Sequence, residues 1–464
     1  MERPPGAAPR GPSASASPGG EVIVVGGGLA GCEAAWALAE RGIRVRLREM
    51  RPTVRTAAHQ SGHLGELVCS NSFKSTELAN AHGLLKAELR ALGSLLLPLA
   101  DEARVPAGAA LAVDREVFAG LVDGRMRSHP NIVVERGEVT SLPSPGIVAT
   151  GPLTSPALAE VIGARLGTAA VGGSVALAFY DAIAPIVSRE SLDESRVYAL
   201  SRYGKGDGDD YLNAPFTREE YDGFIAALVE ADQFTAHEFD KVPYFEGCLP
   251  VEEMARRGPE TLRFGPMKPV GLPDPRTGRE PHAVVQLRRE DRAGQMWNLV
   301  GFQTRLRIPE QKRVLALIPG LQQAEILRFG SIHRNSYINS PATLGPGLAA
   351  RDDDRLLFAG QLTGVEGYTE SLGTGLLAGI NLARRLAGQP VQVPPPTTML
   401  GALYRYLREA DPRRFQPMNA NWGLVEPLPE SQAVGRSGGR KKEAKKEHLV
   451  ARAVADFDLW RRLL

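Results

Sequence analysis

Cysteine is scarce in this 464-residue chain: Cys32, Cys69 and Cys248 are few, odd in number and far apart. That pattern excludes a disulfide framework and a cysteine-rich zinc site, and it fits a reducing compartment. Long apolar runs are missing too. No stretch reaches the roughly 18 residues a membrane-spanning helix needs, so no membrane partner is expected. Aromatic residues make up 6% and the formal net charge is only +2, so any nucleic-acid partner must meet a local patch and not the whole surface. No internal repeat stands out. Residues 1–20 are rich in Pro, Gly, Ala and Ser and lack the apolar core of a secretory signal, so they read as a disordered tail and the chain as cytoplasmic. What remains is an ordinary globular composition, 43% hydrophobic and 23% charged, long enough for two or more domains.

The chain is organised around Val22–Met50. Four apolar residues read as a buried parallel strand. Gly26-x-Gly28-x-x-Gly31 follows, then an Ala-rich helix, a second apolar strand at Ile43–Leu47, and Glu49, placed 21 residues after Gly28. Gly26 permits the tight turn, Gly28 lets a pyrophosphate approach the backbone, and Gly31 lets the helix pack on the strand. Gly27, Leu29 and Ala30 complete the turn, and the helix N-terminus offers N–H groups and a partial positive charge to phosphates. The Glu49 carboxylate suits a ribose hydroxyl and disfavours a 2′-phosphate. Strand, glycines, helix, strand and acid together predict an adenine dinucleotide; a glycine-rich turn in an empty βαβ unit is the alternative.

A second segment, Arg355–Leu386, has the same logic. Leu356–Ala359 reads as a strand, Gly360, Gly364 and Gly367 as a close-approach turn, and an amphipathic helix begins at Gly375. Gly360, Gln361, Gly367, Tyr368 and Ser371 are candidate cofactor contacts. A helix N-terminus there would stabilise the negative charge of a reduced flavin.

Between these segments the character changes. Residues 51–80 are loop-like. His59 and His63 stand four apart, but Gly62 and the polar flanks argue for a loop, so no metal is expected. Cys69 lies among Ser70, Asn71 and Ser72; its plain reading is a buried thiol in a turn. Residues 82–129 carry helical periodicity broken at Pro98 and Pro106, a strand is expected at Ile132–Arg136, and Ile147–Gly151 reads as a strand ending in a tight turn. Residues 188–320 are rich in charge, aromatics and Pro/Gly breaks, with antiparallel strands expected in HAVVQLRRE and MWNLVGFQT. Cys248 lies in a Gly/Pro-shaped loop, and Arg256 and Arg257 nearby would depress a thiol pKa, although a structural cysteine is the ordinary reading. Phe415 and Trp422 are expected to pack on the body. The run GRSGGRKKEAKKEH reads as a solvated linker and helix face before it reads as a phosphate grip.

The expected fold class is α/β: a Rossmann-like FAD-binding domain of the two-dinucleotide flavoprotein type, interrupted by a smaller α+β insertion domain. Its parts are 21–185 and 325–430, with the insertion at 186–324 and a basic C-terminal segment at 431–464.

Eight motifs extend this reading: VVGGGLAGCEAAW (Val24–Trp36), ELVCSNS (Glu66–Ser72), RVPAGAALAVDRE (Arg104–Glu116), ATGPLTS (Ala149–Ser155), YDAIAPIV (Tyr180–Val187), FEGCLPVEE (Phe245–Glu253), FGPMKPVGLPDPRTG (Phe264–Gly278) and GVEGYTES (Gly364–Ser371). Through them the chain, from about Glu21 to Leu424, resembles the bacterial folate- and FAD-dependent tRNA (uracil-5-)-methyltransferase family. The resemblance implies C5-methylation of a T-loop uridine in tRNA, with carbon from methylenetetrahydrofolate, FAD as reductant and NADH or NADPH recharging it, and with no obligatory protein partner. Uracil C5 is a poor nucleophile; a thiolate adding at C6 makes C5 enolate-like, able to attack a one-carbon electrophile. The resemblance assigns Cys248 as that nucleophile. It places Cys69 on a second family cysteine beside the flavin, with removal of the C5 proton as its implied role, and reads Cys32 as helix packing. For tRNA it offers Arg256, Arg257, Arg263, Lys268, Arg288, Arg289, Arg305 and Arg307, with scattered surface cations as the alternative. Rival readings are the larger FAD enzyme of wobble-uridine modification, whose C-terminal helical extension this chain lacks, a non-catalytic tRNA-binding flavoprotein, and a small-molecule NADH oxidoreductase.

Overall fold

The computed structural model describes residues 20–56, 58–166, 177–234, 249–429 and 439–464. The fingerprint folds as its pattern predicts. The strand Val22–Val25 runs parallel between Val45–Glu49 and Gly146–Val148. Ile132–Arg136 extends one side of this sheet. Asp353–Phe358 extends the other, and Ala349–Ala350 closes that edge antiparallel. The strand order reverses at Val22–Val25 and Gly146–Val148, where open α/β sheets bind ligands beyond the carboxyl ends of their strands. The second strand starts at Val45, not Ile43, because the Ile43 N–H still bonds back to Leu38 and closes the helix Leu29–Ala39.

The helix after the second glycine segment starts at Tyr368, seven residues before the expected Gly375, and runs to Leu386. The glycines that read as a boundary are its contact face. A Cβ on Gly375 would stand 2.3 Å from the Ala30 carbonyl oxygen, and one on Gly379 would stand 2.6 Å from that of Ala34. The two helices that begin the cofactor segments therefore lie directly on each other.

Residues 177–337 leave and rejoin this body through an antiparallel ribbon, Leu177–Ile183 with Ser331–Tyr337. Between them a six-stranded antiparallel sheet runs in the order Tyr198–Ala199, Tyr211–Phe216, Ala283–Arg289, Met296–Leu299, Ile186–Ser188, Ile326–Arg328. It contains both strands expected in HAVVQLRRE and MWNLVGFQT. Trp297, Phe216, Tyr221, Phe224 and Phe302 fill its own core.

The C-terminal chain continues past the run GRSGGRKKEAKKEH, whose residues 444–448 are exposed or half-buried as expected, into a docked helix. Gly439–Arg461 is a helix, and its Leu449, Ala453, Phe457 and Trp460 are buried in the core of the first sheet. Their spacing is the stripe of a docked amphipathic helix, so beyond residue 448 one face of the helix joins the core while the other stays exposed. Phe415 is buried as expected, and Trp422 is partly buried against the same body. No helix among the described residues is long and apolar enough to cross a membrane.

Candidate active site

A cleft opens beyond the carboxyl ends of Val22–Val25 and Gly146–Val148. Two adjoining pockets form it, sharing Gly28, His59, Thr150 and Leu153. Gly26 and Glu49 line one end; Leu29, Ala30, Gly360, Gln361, Tyr368 and Ser371 line the other. Nine of the twelve predicted cofactor residues, counting Gly28, thus meet in one cleft. The remaining three shape it. Gly27 sits behind it and donates its N–H to Glu49 Oε2 (2.8 Å). Gly31 takes the helix against the strand, where a Cβ would stand 1.8 Å from the Gly26 carbonyl oxygen. Gly367 is the N-cap of the second helix at φ +119°.

The cleft has the features of an anion and nucleotide cradle. A Cβ on Gly28 would meet nothing within 4 Å, so the backbone faces open space there. Neither Gly28 nor Gly367 offers a side-chain cap, so both helix N-termini are left to outside acceptors. Glu49 is buried, and its Oε1 accepts from the Arg51 N–H and Nε, each at 2.9 Å. Burial opposes its ionisation, but Arg51 and the Gly27 N–H hold the carboxyl below its ordinary value. Arg51 also donates to Glu66 (2.9 Å), which accepts from the Gln60 and Ser61 N–H groups. This Glu49–Arg51–Glu66 chain fixes the wall that carries His59. Sequence reasoning missed Arg51, His59 and Glu66; the two-histidine spacing drew attention to a metal, while the loop around them is built as cleft wall.

Cys69 lies next to Val68, a lining residue, in a loop that both lobes hold. The Tyr368 hydroxyl accepts from the Cys69 and Ser70 N–H groups (3.0 Å each) and donates to the Ser70 carbonyl (2.9 Å). Arg115 donates to the carbonyls of Leu67 (2.9 Å) and Cys69 (3.4 Å), and Arg328 to that of Val68 (3.1 Å). Glu290, just past the strand Ala283–Arg289, orients Arg115 at 2.7 Å. Asn71 donates to the carbonyls of Val113 and Arg289 and accepts from Arg288 Nε (2.9 Å). Cys32 is fully buried with its Sγ toward the Gly27 carbonyl, and burial pushes its thiol up, so it packs and does not react. Cys248 lies outside the described residues.

The cations offered for tRNA do not form one open face. Arg288 is buried on Asn71, and Arg289 lies over the Trp297 ring. Arg256 and Arg305 share Glu253, Arg263 pairs with Glu260, and Arg307 pairs with Asp232. Lys268 and Arg257 are exposed.

Comparison with known proteins agrees with this geometry. The family model described as glucose inhibited division protein A matches residues 21–390. A Geobacter sulfurreducens protein named methylenetetrahydrofolate–tRNA-(uracil-5-)-methyltransferase TrmFO is 56% identical over 443 residues, 95% of this chain and 99% of its own. A Thermus thermophilus protein of the same name is 54% identical over 441 residues, 95% of this chain and 96% of its own. Aquifex aeolicus GidA shares the fold, with a TM-score of 0.64 at 16% identity across 96% of this chain and 73% of that one. With more than half its residues identical to the Geobacter and Thermus relatives across 95% of its length, the chain belongs to the TrmFO family of methylenetetrahydrofolate–tRNA-(uracil-5-)-methyltransferases.

Proposed function

We propose that this chain methylates C5 of a T-loop uridine in tRNA, taking the carbon from methylenetetrahydrofolate, with FAD as cofactor and NADH or NADPH as electron donor. The observation that carries the reading is 56% identity, across 95% of the chain, to a relative named for this reaction. The residues fit FAD: open space over Gly28, two helix N-termini without side-chain caps, and a buried, ionised Glu49 at one end of the cleft. When bound, FAD supplies the two electrons that turn a methylene into a methyl group.

The chain's own residues do the rest. Glu49 accepts from the adenosine ribose, and Gly28, Leu29 and Ala30 receive the pyrophosphate. Gly360, Gln361, Gly367, Tyr368 and Ser371 hold the other end of the cofactor. The Cys248 thiolate adds to uracil C6, which makes C5 the attacking carbon; this role rests on the Glu246-Gly247-Cys248 segment alone. C5 takes the one-carbon unit, Cys69 accepts the C5 proton as the amine that carried the carbon leaves, and, with the methylene reduced to methyl, expulsion of Cys248 restores the ring double bond. The loop that holds Cys69 is tied at both its N–H groups and its carbonyls, which supports a fixed position beside the cleft. The separate core of the antiparallel sheet supports an insertion domain, and the pairing of Ile326–Arg328 with Ile186–Ser188 carries it past the expected end at 324. A cytoplasmic location and action without an obligatory protein partner belong to the same proposal.

The test is product mapping. Purified protein is incubated with unmodified tRNA, NADH and methylenetetrahydrofolate labelled in its one-carbon unit, and the tRNA is digested. Label in 5-methyluridine within the T loop is expected. Label at the wobble base, or none while the bound flavin is reducible, overturns the reading.

A further inference from the structure

The antiparallel sheet carries a surface that neither the cleft nor the Cys69 loop uses. Phe264 is 82% exposed, Tyr203 65% and Val270 42%. Their segments are tied together. The Lys268 N–H donates to the Gly265 carbonyl beside Phe264 (3.2 Å), and the Tyr203 N–H donates to that of Gly271 (3.3 Å). Arg202, next to Tyr203, donates to the carbonyls of Lys268 (2.8 Å) and Val270. Single exposed apolar residues are ordinary on a protein surface, whereas two aromatic rings and a valine on hydrogen-bonded neighbouring segments are not.

The backbone is arranged to present one of these rings. Tyr203 stands at φ +58° and ψ +28°, a left-handed conformation that a bulky side chain rarely adopts and that the fold must hold against its preference. Gly271, at φ +80°, gives the ring its seat: a Cβ there would stand 2.4 Å from a Tyr203 ring carbon. Cations neighbour the rings along the chain. Lys268 is exposed; Lys205 is 44% exposed with its Nζ 2.5 Å from Glu77; Arg263 adjoins Phe264 and pairs with Glu260. Open rings among cations suit unpaired bases and the phosphates between them.

One strand also links this surface to the Cys69 loop. Arg202 donates to Gln286 Oε1 (3.2 Å), and two residues along the same face of that strand Arg288 donates to Asn71 (2.9 Å). Two strand residues span only about 7 Å.

We propose that Tyr203 and Phe264 form a stacking platform for unpaired nucleotides of the RNA substrate that flank the target uridine. The proposal rests on the reading that the substrate is tRNA. To test it, holoenzymes carrying Phe264→Ala, Tyr203→Asn, both, or Tyr203→Phe are titrated with labelled unmodified tRNA in filter binding and assayed for methyl transfer. Asn accepts the left-handed backbone, so Tyr203→Asn removes the ring and keeps the turn. The double variant is expected to raise Kd and KM for tRNA about 10- to 100-fold, the range of one or two lost base stacks. FAD content, kcat and the folate KM stay at wild-type values, and Tyr203→Phe binds tRNA as wild type does. The slope of log Kd against log salt stays unchanged, because the rings neutralise no phosphate. Should Tyr203→Asn fail to fold, Phe264→Ala still decides the matter, since it removes a side chain with little packing to lose. Wild-type affinity in both Phe264→Ala and the double variant overturns the proposal, as does a rise confined to the folate KM. Wild-type protein that transfers no label refutes the tRNA reaction itself, and the filter-binding arm still decides the platform.

Discussion

The Tyr368 hydroxyl uses its whole hydrogen-bonding capacity on one loop. It accepts two N–H bonds and donates one, all to Cys69 and Ser70. Burial pushes its phenol up, followed by the neighbouring Cys69, so it stays protonated and acts as an anchor, not a proton carrier. Tyr368→Phe keeps the ring in the cleft and leaves those two N–H groups unanswered. We expect kcat to fall about 10- to 100-fold, the scale of a roughly 1 Å misplacement of a reacting group, with tRNA KM and FAD content near wild type. Steady-state kinetics and flavin absorbance check this; unchanged kcat would show that the Cys69 loop holds its position without the hydroxyl. The residue scale also shows what the sequence could convey. The glycines of the fingerprint were legible because each meets a local steric demand, such as Gly31 against the Gly26 carbonyl. From its own surroundings Cys69 was legible only as an odd polar cluster, and its role came from the family motif. Its anchor lies 299 residues away, and no periodicity joins the two.

At the scale of elements, two buried carboxylates join helices end to side. Glu88, on the helix Ala81–Ala91, accepts from the Met399 and Leu400 N–H groups (2.8 Å each) and so caps Met399–Glu409. Burial pushes the Glu88 carboxyl up to about 8 against the pull of those bonds. Glu33 does the same for Leu96–Glu102, and burial raises it to about 7. A raised folded-state value means that the folded chain holds the proton longer than the unfolded chain does. The stability it contributes is complete below the ordinary value of 4.5 and is lost as pH rises to about 8. Glu88→Gln stays neutral throughout, so relative to wild type it should gain stability from about pH 5 to about pH 8. Urea melts of both proteins across that range measure the difference; a constant gap would mean that Glu88 is ionised throughout. These joints were not legible in the sequence, since a Glu in a helix reads as a surface residue until burial is known. Strands were easier, because their apolar runs have a short period. Gly375 misled for the opposite reason: glycine breaks an isolated helix, yet here it is what lets two helices touch.

At the scale of the molecule, a parallel-sheet body and an antiparallel lobe keep separate cores and meet at the Cys69 loop. That division was legible as a change in composition near residue 185. The charge layout was not, because ion pairs such as Arg263–Glu260 and Arg307–Asp232 engage cations that sequence shows only as positive. Nor was the C-terminal helix, whose lysine-rich start hides a buried second half. Thr397 bonds Asp456 and Arg384 bonds the carbonyls of Leu463 and Leu464, so the helix is fastened by polar contacts as well as by Trp460 and Phe457. It packs beside Ala81–Ala91, which in turn touches Tyr368–Leu386, the helix whose N-terminus faces the cleft. Trp460→Ala should cost about 3–5 kcal/mol, the usual loss for a large buried aromatic. Because the helix meets Tyr368–Leu386 through Ala81–Ala91 and, directly, only at Arg384 in the last turn far from the cleft, kcat of the flavin-loaded variant should stay near wild type while its thermal midpoint drops. Calorimetry beside methyl-transfer kinetics separates the two. A fall in kcat without a fall in midpoint would make the C-terminal helix part of the working site, and an unchanged midpoint would show that its buried face contributes little to the core it enters.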